Sequence, residues 1–155
     1  MRKDDTLRAA VVAALPDLNR DAQALKVWLE KGSIASVGAA GIGWEYRYQL
    51  SLLLLDFTSD PDLLFHAILQ WLRTEQPDLL MSPGALEKAL TFEVDVLGDQ
   101  LADILVTISL TESVQGVARP GGIEMIHPPL PAFDDDRPLA PDAPRLSSIR
   151  GNGQA

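Results

Sequence analysis

Few side chains in this sequence have the type and spacing needed for chemistry. The two histidines, His66 and His127, lie far apart, and there is no cysteine. A zinc site built from the usual nitrogen and sulfur donors therefore has no ligand set. His66 falls among Leu64, Phe65 and Ile68 in a helical pattern, which suits a packed or rim position, and His127 precedes two prolines. Asp134-Asp135-Asp136 could attract a divalent cation, but it lacks a glycine-containing loop of fixed ligand spacing and reads as a solvated charge run. Glu93 and Asp95 share one face of an alternating segment, as a carboxylate pair for acid–base work would. A solvated strand face explains them more simply. There is no G-x-S-x-G elbow. The glycine-rich stretch Gly38 to Gly43 has the spacing G-x-x-G-x-G, which is not the dinucleotide fingerprint. No Lys-Ser/Thr follows it, and the next element is a strand, so no helix N-terminus is available for an anion. The residues point away from catalysis and imply no cofactor and no metal.

Composition sets the remaining bounds. The chain of 155 residues is one-domain length, with 46% hydrophobic and 23% charged residues, enough for a core of useful size. No apolar run approaches the ~20 residues of a membrane-spanning helix, and the N-terminus lacks a signal-peptide core, so a soluble protein with no membrane partner is expected. The net charge of −9 sits almost wholly in residues 40–116, where Arg47, Arg73 and Lys88 face twelve acidic side chains. That excess serves solubility, or it forms a surface along which nucleic acid passes without sticking, since affinity for a phosphate backbone comes from Lys and Arg.

The elements that would position an interaction surface follow from periodicity. Leu7, Ala10, Val11 and Ala14 predict a helix over 6–15, with Thr6 as its cap and Pro16 as its stop. Two patterns compete over 17–31. One is a helix from Asp21 to Lys31 capped by Gly32. The other, which we prefer, is a strand through Leu25, Val27 and Leu29 that turns at Lys31-Gly32 onto Ser33 to Val37. Residues 44–57 alternate clearly, with Trp44, Tyr46, Tyr48, Leu50, Leu52 and Leu54 on one face and Glu45, Arg47, Gln49 and Ser51 on the other. From Leu52 both faces are apolar, which predicts cover on both sides. Such a strand would span roughly 45 Å and is longer than most, so its first half is expected to project beyond the domain. Asp60 and Pro61 start a second helix over 61–76, with Leu64, Ile68, Trp71 and Leu72 buried, joined by Phe65 and Leu69. A connector over 79–88 leads to two more alternating segments, Leu90 to Val96 and Asp103 to Ser113, joined by a turn at Gly98-Asp99. The result is an α+β fold, a mixed or antiparallel sheet of about five strands backed by two helices.

Residues 1–116 form this domain, and residues 117–155 are expected to form an extended proline-rich C-terminal arm. Seven of the eleven prolines lie there, which excludes helix and central strand. The segment is either a free tail or an arm that orders on a neighbouring subunit, with Ile123, Met125, Ile126, Leu130 and Phe133 as apolar anchors. Aromatics and arginine are enriched at interface cores. Trp28, Trp44, Tyr46 and Arg47 are accordingly the candidate contacts, with the loop containing Gly38, Gly41 and Gly43 beside them and Ile123, Met125 and Phe133 on the arm.

Taken in order, several segments resemble the tail completion protein R family of contractile-tailed temperate bacteriophages. They are Gly32-Ser33-Ile34-Ala35-Ser36, Tyr46-Arg47-Tyr48 with Leu50, and Asp56-Phe57-Thr58 with Asp60, Asp62, Leu63 and Leu64. Next come Trp71-Leu72-Arg73, Gln76-Pro77-Asp78, Thr91-Phe92, and Ile108, Leu110, Thr111 and Glu112. The likeness spans roughly residues 5–115. It implies a structural virion protein resembling tail terminators: a homo-oligomer, usually a six-fold ring, at the head-proximal end of the tail tube, assembled in the host bacterial cytoplasm. Its implied partners are tail tube and sheath proteins and the neck or head connector, with DNA passing through without specific binding. The family carries no catalytic residues. A monomeric small-molecule-binding α+β domain and a head-side neck protein are the alternatives.

Overall fold

A computed structural model describes residues 2–36 and 42–129. In chain order they form α1 (Lys3–Ala14), a 3-10 turn (Pro16–Asn19), β1 (Leu25–Ala35), β2 (Ile42–Phe57) and α2 (Pro61–Glu75). The short helices α3 (Asp78–Met81) and α4 (Ala85–Ala89) follow, then β3 (Leu90–Gly98), β4 (Leu101–Arg119) and β5 (Gly122–Ile126). The five strands make one antiparallel sheet in the order β1-β2-β4-β3, with β5 also paired to β4. The α+β class, a sheet of five strands and the two main helices are as expected, although the fifth strand is β5 and not the second arm of a hairpin at Lys31-Gly32.

The details depart from the sequence reading where local signals lost to pairing. Residues 25–35 form one strand, not a hairpin turning at Lys31-Gly32. All of β1 pairs with β2, and the extra residue Glu30 is absorbed as an irregularity between Leu29 and Lys31. Gly32 serves the ladder instead of a turn, because a Cβ there would lie 3.1 Å from both the Arg47 carbonyl oxygen and Tyr48 Cβ. Helix α1 starts at Lys3, so Thr6 is inside its first turns and does not cap it. The Thr6 hydroxyl accepts from Trp71 Nε1 at 3.0 Å and ties α1 to α2. Asp60 does cap α2, accepting from the Asp62 amide at 2.9 Å. The connector folds as α3 and α4, and the β3–β4 turn is centred on Asp99 and Gln100, one residue later than expected.

The core lies on one face of the sheet. Leu50, Leu52 and Leu54 of β2 and Val106 and Ile108 of β4 meet Leu7 and Val11 of α1 and Leu64, Ile68 and Leu72 of α2. Each such side chain contributes about 1.5–3 kcal/mol on full burial. The opposite face carries no helix of this size. Leu53 and Leu55 are therefore only half-buried, not covered on both sides as the apolar run suggested.

The sheet runs through residue 116. Strand β4 continues to Arg119 and returns through Pro120 and Gly121 (φ 94°) into β5, with Gly116 opposite Met125 and Ala118 opposite Ile123. A proline followed by a left-handed glycine is the chemistry of a type II turn. The anchors Leu130 and Phe133 and the rest of the proposed arm lie outside the described residues.

Candidate functional site

Helix α1 begins over the middle of β2 and β4, since the Arg2 amide donates to Glu112 Oε2 at 3.4 Å and Lys3 Nζ to the Thr111 carbonyl at 2.7 Å. The rows beyond that point extend past the helices. What projects is therefore the shared end of β1, β2, β4 and β5, not β2 alone. Trp44 pairs with Val114 and Tyr46 with Glu112, and both rings lie on the helix side of this end. The two rings meet edge-on, 5.9 Å apart at 89°. Register puts Ile34, Ile123 and Met125 on the same side, and all three are exposed. The structure thus gathers Trp44, Tyr46, Ile123 and Met125 into one apolar patch.

It does not gather the other candidates there. Trp28 pairs with Ser51 and Arg47 with Thr111, so both lie on the helix-free face, where Arg47 Nε bonds Glu45 Oε1 at 2.7 Å. Gly43 pairs with Gln115 at the end of the sheet. Gly38, Gly41 and Phe133 lie outside the described residues.

Sequence reasoning missed a polar seam beneath the helix starts. Strand β4 has β3 along one part of its outer edge and β5 along another, and between Ile108 and Gln115 neither strand pairs with it. Gln76 and Lys3 fill the gap. Gln76 Oε1 accepts from the Thr111 amide at 3.1 Å and from Lys3 Nζ at 2.7 Å, and Gln76 Nε2 donates to Thr111 Oγ1 at 2.9 Å and Asp78 Oδ1 at 2.6 Å. Lys3 Nζ also donates to the Glu75 carbonyl at 2.6 Å. Nearby, the Tyr48 hydroxyl donates to Glu112 Oε2 at 3.1 Å, and His127 Nδ1 lies 2.9 Å from Glu112 Oε1. Burial holds the Lys3 ammonium below the usual lysine value against the pull of Glu75, Glu112 and Asp78. Burial pushes the Tyr48 phenol up, helped by the charge and hydrogen bond of Glu112. Lys3, Gln76, Thr111, Tyr48 and Glu112 are engaged in joining elements, and the cavity that reaches Tyr48 and Thr111 is the groove described below. No local sequence signal marks the seam, because Lys3, Gln76 and Thr111 come together only through the fold.

The other candidate chemistry dissolves in the same way. His66 is exposed on α2. Glu93 and Asp95 are exposed on β3. Among the described residues no group of three His, Cys, Asp or Glu side chains could hold a metal ion, and no helix is long and apolar enough to cross a membrane. A groove of about 570 Å³ crosses the strands at Lys31, Arg47, Gln49 and Thr111 and is bordered by Leu79 of α3 and Ala89 of α4. It holds no acid–base pair.

Exposed apolar side chains concentrate at the margins of the sheet. Nine of the twelve among the described residues lie on edge strands, Trp28, Leu29 and Ile34 on β1, Phe92, Val94, Val96 and Leu97 on β3, and Ile123 and Met125 on β5, while Leu63, Leu69 and Met81 are on helices. A small α+β domain with an apolar core, a structural polar seam and exposed apolar side chains along its sheet edges has the features of an assembly module. The chain belongs to the family described as P2 phage tail completion protein R (GpR), whose match covers residues 1–131. It is 39% identical over 112 residues to the tail completion protein R of Escherichia phage P2, covering 72% of each chain. No solved structure matches it. Membership makes it a structural protein of phage tail completion, located in the virion tail.

Proposed function

We propose that the protein closes the head-proximal end of the tail tube as a ring, most simply six-fold, and offers its outer surface to the neck or head connector. The observation that carries this reading is the clustering of exposed apolar side chains at separate margins of the sheet. A closed ring requires two different patches on each subunit. The projecting end bearing Trp44, Tyr46, Ile123 and Met125 suits the tube, and residues 130–155 suit an arm lying on a neighbour. The acidic excess of residues 40–116 favours passage of DNA without specific binding.

Electron microscopy of the purified protein, alone and with tail tubes, tests the reading. Annuli seated on tube ends are expected. A monomer at every concentration, also in the presence of tubes, would remove it. Truncation after Pro129 tests the arm more cleanly than truncation after Gly116, which also removes β5. Unchanged ring formation by the shorter chain would leave the arm without a role in assembly.

A further inference from the structure

Resting on the ring reading, we propose that neighbouring subunits join by strand addition, the open edge of β3 in one copy pairing antiparallel with the open edge of β1 in the next, so that the sheet runs on from copy to copy. The two edges are the borders of the β1-β2-β4-β3 path. They match in length, with nine residues in β3 and eleven in β1, roughly 30 and 36 Å at ~3.3 Å per residue. They also match in direction. Along an antiparallel path of four strands the first and last run opposite ways, so copies related by rotation about an axis along the strands present β3 antiparallel to the next β1.

The side chains match on both faces. On the helix-free face β1 carries Lys26 and Lys31 beside Trp28, and β3 carries Glu93 and Asp95, all exposed; the one acid of β1, Glu30, sits outside the ladder at the irregularity between Leu29 and Lys31, so the paired positions of β1 are basic. On the helix side β1 carries Val27 and Leu29, and β3 carries Phe92, Val94 and Val96, the last 72% exposed. Pairing β1 with β3 sets lysines against carboxylates and apolar groups against apolar groups. The two symmetric alternatives fail on charge. Pairing β3 with β3 opposes carboxylates, pairing β1 with β1 opposes lysines, and like charges directly opposite each other are destabilising. Charge on an edge is also the ordinary guard against sheet-to-sheet association, but guards of one sign would serve both edges, whereas here the signs are opposite. A heterologous contact of this kind is the type that closes rings.

The test mixes two charge-reversed full-length chains, K26E/K31E and E93K/D95K, and follows assembly by analytical ultracentrifugation with tail tubes present and absent. Circular dichroism checks that both are folded. Each variant alone should associate at least ~10-fold more weakly than the parent, because it opposes like charges at every joint. An equimolar mixture should regain assembly, because each then presents the sign its neighbour needs. Hydrogen exchange on the unmodified protein gives an independent reading, with amides of β1 and β3 slowing together on assembly. Single variants that assemble like the parent, a mixture that stays dissociated, or protection of β3 without β1 would each overturn the pairing. A parent that never assembles would instead overturn the ring itself, so the two failures are distinct.

Discussion

Gln76 stands in for a strand beside Thr111. Its Oε1 accepts from the Thr111 amide at 3.1 Å while its Nε2 donates to the Thr111 hydroxyl at 2.9 Å. The site is the stretch of β4 that neither β3 nor β5 reaches. A buried amide without a partner costs about 1–3 kcal/mol, so an unfilled gap would weaken the central strand. Gln76→Leu keeps the volume and removes the hydrogen bonds, stranding the Thr111 amide and taking one acceptor from Lys3. Urea denaturation should show a loss of roughly 2 kcal/mol or more. A loss under ~0.5 kcal/mol, the range of ordinary surface changes, would mean that water satisfies the gap.

Tyr48 and Lys3 give the fold opposite responses to alkali. The Tyr48 phenol is raised above its ordinary value, so above about pH 10 the folded chain keeps a proton that the unfolded chain releases. Stability from this group is complete below pH 10 and declines as pH rises. The Lys3 ammonium is held low, so the unfolded chain binds more protons just below the usual lysine value, and this group's contribution grows with pH in that window. Tyr48→Phe isolates the first response. The stability advantage of the parent over Y48F should shrink between pH 10 and 11.5. A difference that stays flat, or grows, would contradict a phenol raised chiefly by burial and helped by Glu112.

Gly32 is where β1 and β2 come closest. An alanine Cβ would meet the Arg47 carbonyl oxygen and Tyr48 Cβ, both at 3.1 Å, and neither is the free end of a flexible chain. Gly32→Ala should cost about 1 kcal/mol or more, the lower range for overpacking. Were the glycine needed only for turn conformation, as Lys31-Gly32 suggested in the sequence, the substitution would affect the loop and leave the Tyr48 environment unchanged. Tyrosine fluorescence and melting temperature together separate the two cases.

The contrast at Gly32 shows what could be read from the sequence and what could not. The two helices, the long strand and the core leucines were legible because each rests on a repeat within one segment, such as Leu64, Ile68 and Leu72 or Leu50, Leu52 and Leu54. Elements set by contacts distant in sequence were not. Lys31-Gly32 looks like a turn until β2 is present to hold the strand straight. Pro120-Gly121 reads as part of a proline-rich tail, yet it turns β4 into β5. The polar seam joins residue 3 to residues 76 and 111, and no window of sequence holds all three. The candidate contacts divide for the same reason. Trp44 and Tyr46 share a face by alternation, but only the β4–β5 pairing brings Ile123 and Met125 beside them.

That division makes the last expectation specific. Trp44 is half-buried at the projecting end, past the rows that α1 covers, and its Nε1 is buried without a hydrogen-bond partner. A buried N–H left without an acceptor is a cost, so it is the face of the ring, and not its N–H, that this position offers to a partner, which in the function proposed above is the tube. Trp44→Ala should leave folding stability within about 1 kcal/mol of the parent, because the main core lies elsewhere, while the yield of completed tails falls sharply. Trp44→Phe separates packing from hydrogen bonding. It should restore part of the yield if the ring area matters and little if the indole N–H does. Complete tails at the parental yield from folded W44A protein would remove this end of the sheet from the tube contact and leave the strand borders to carry assembly.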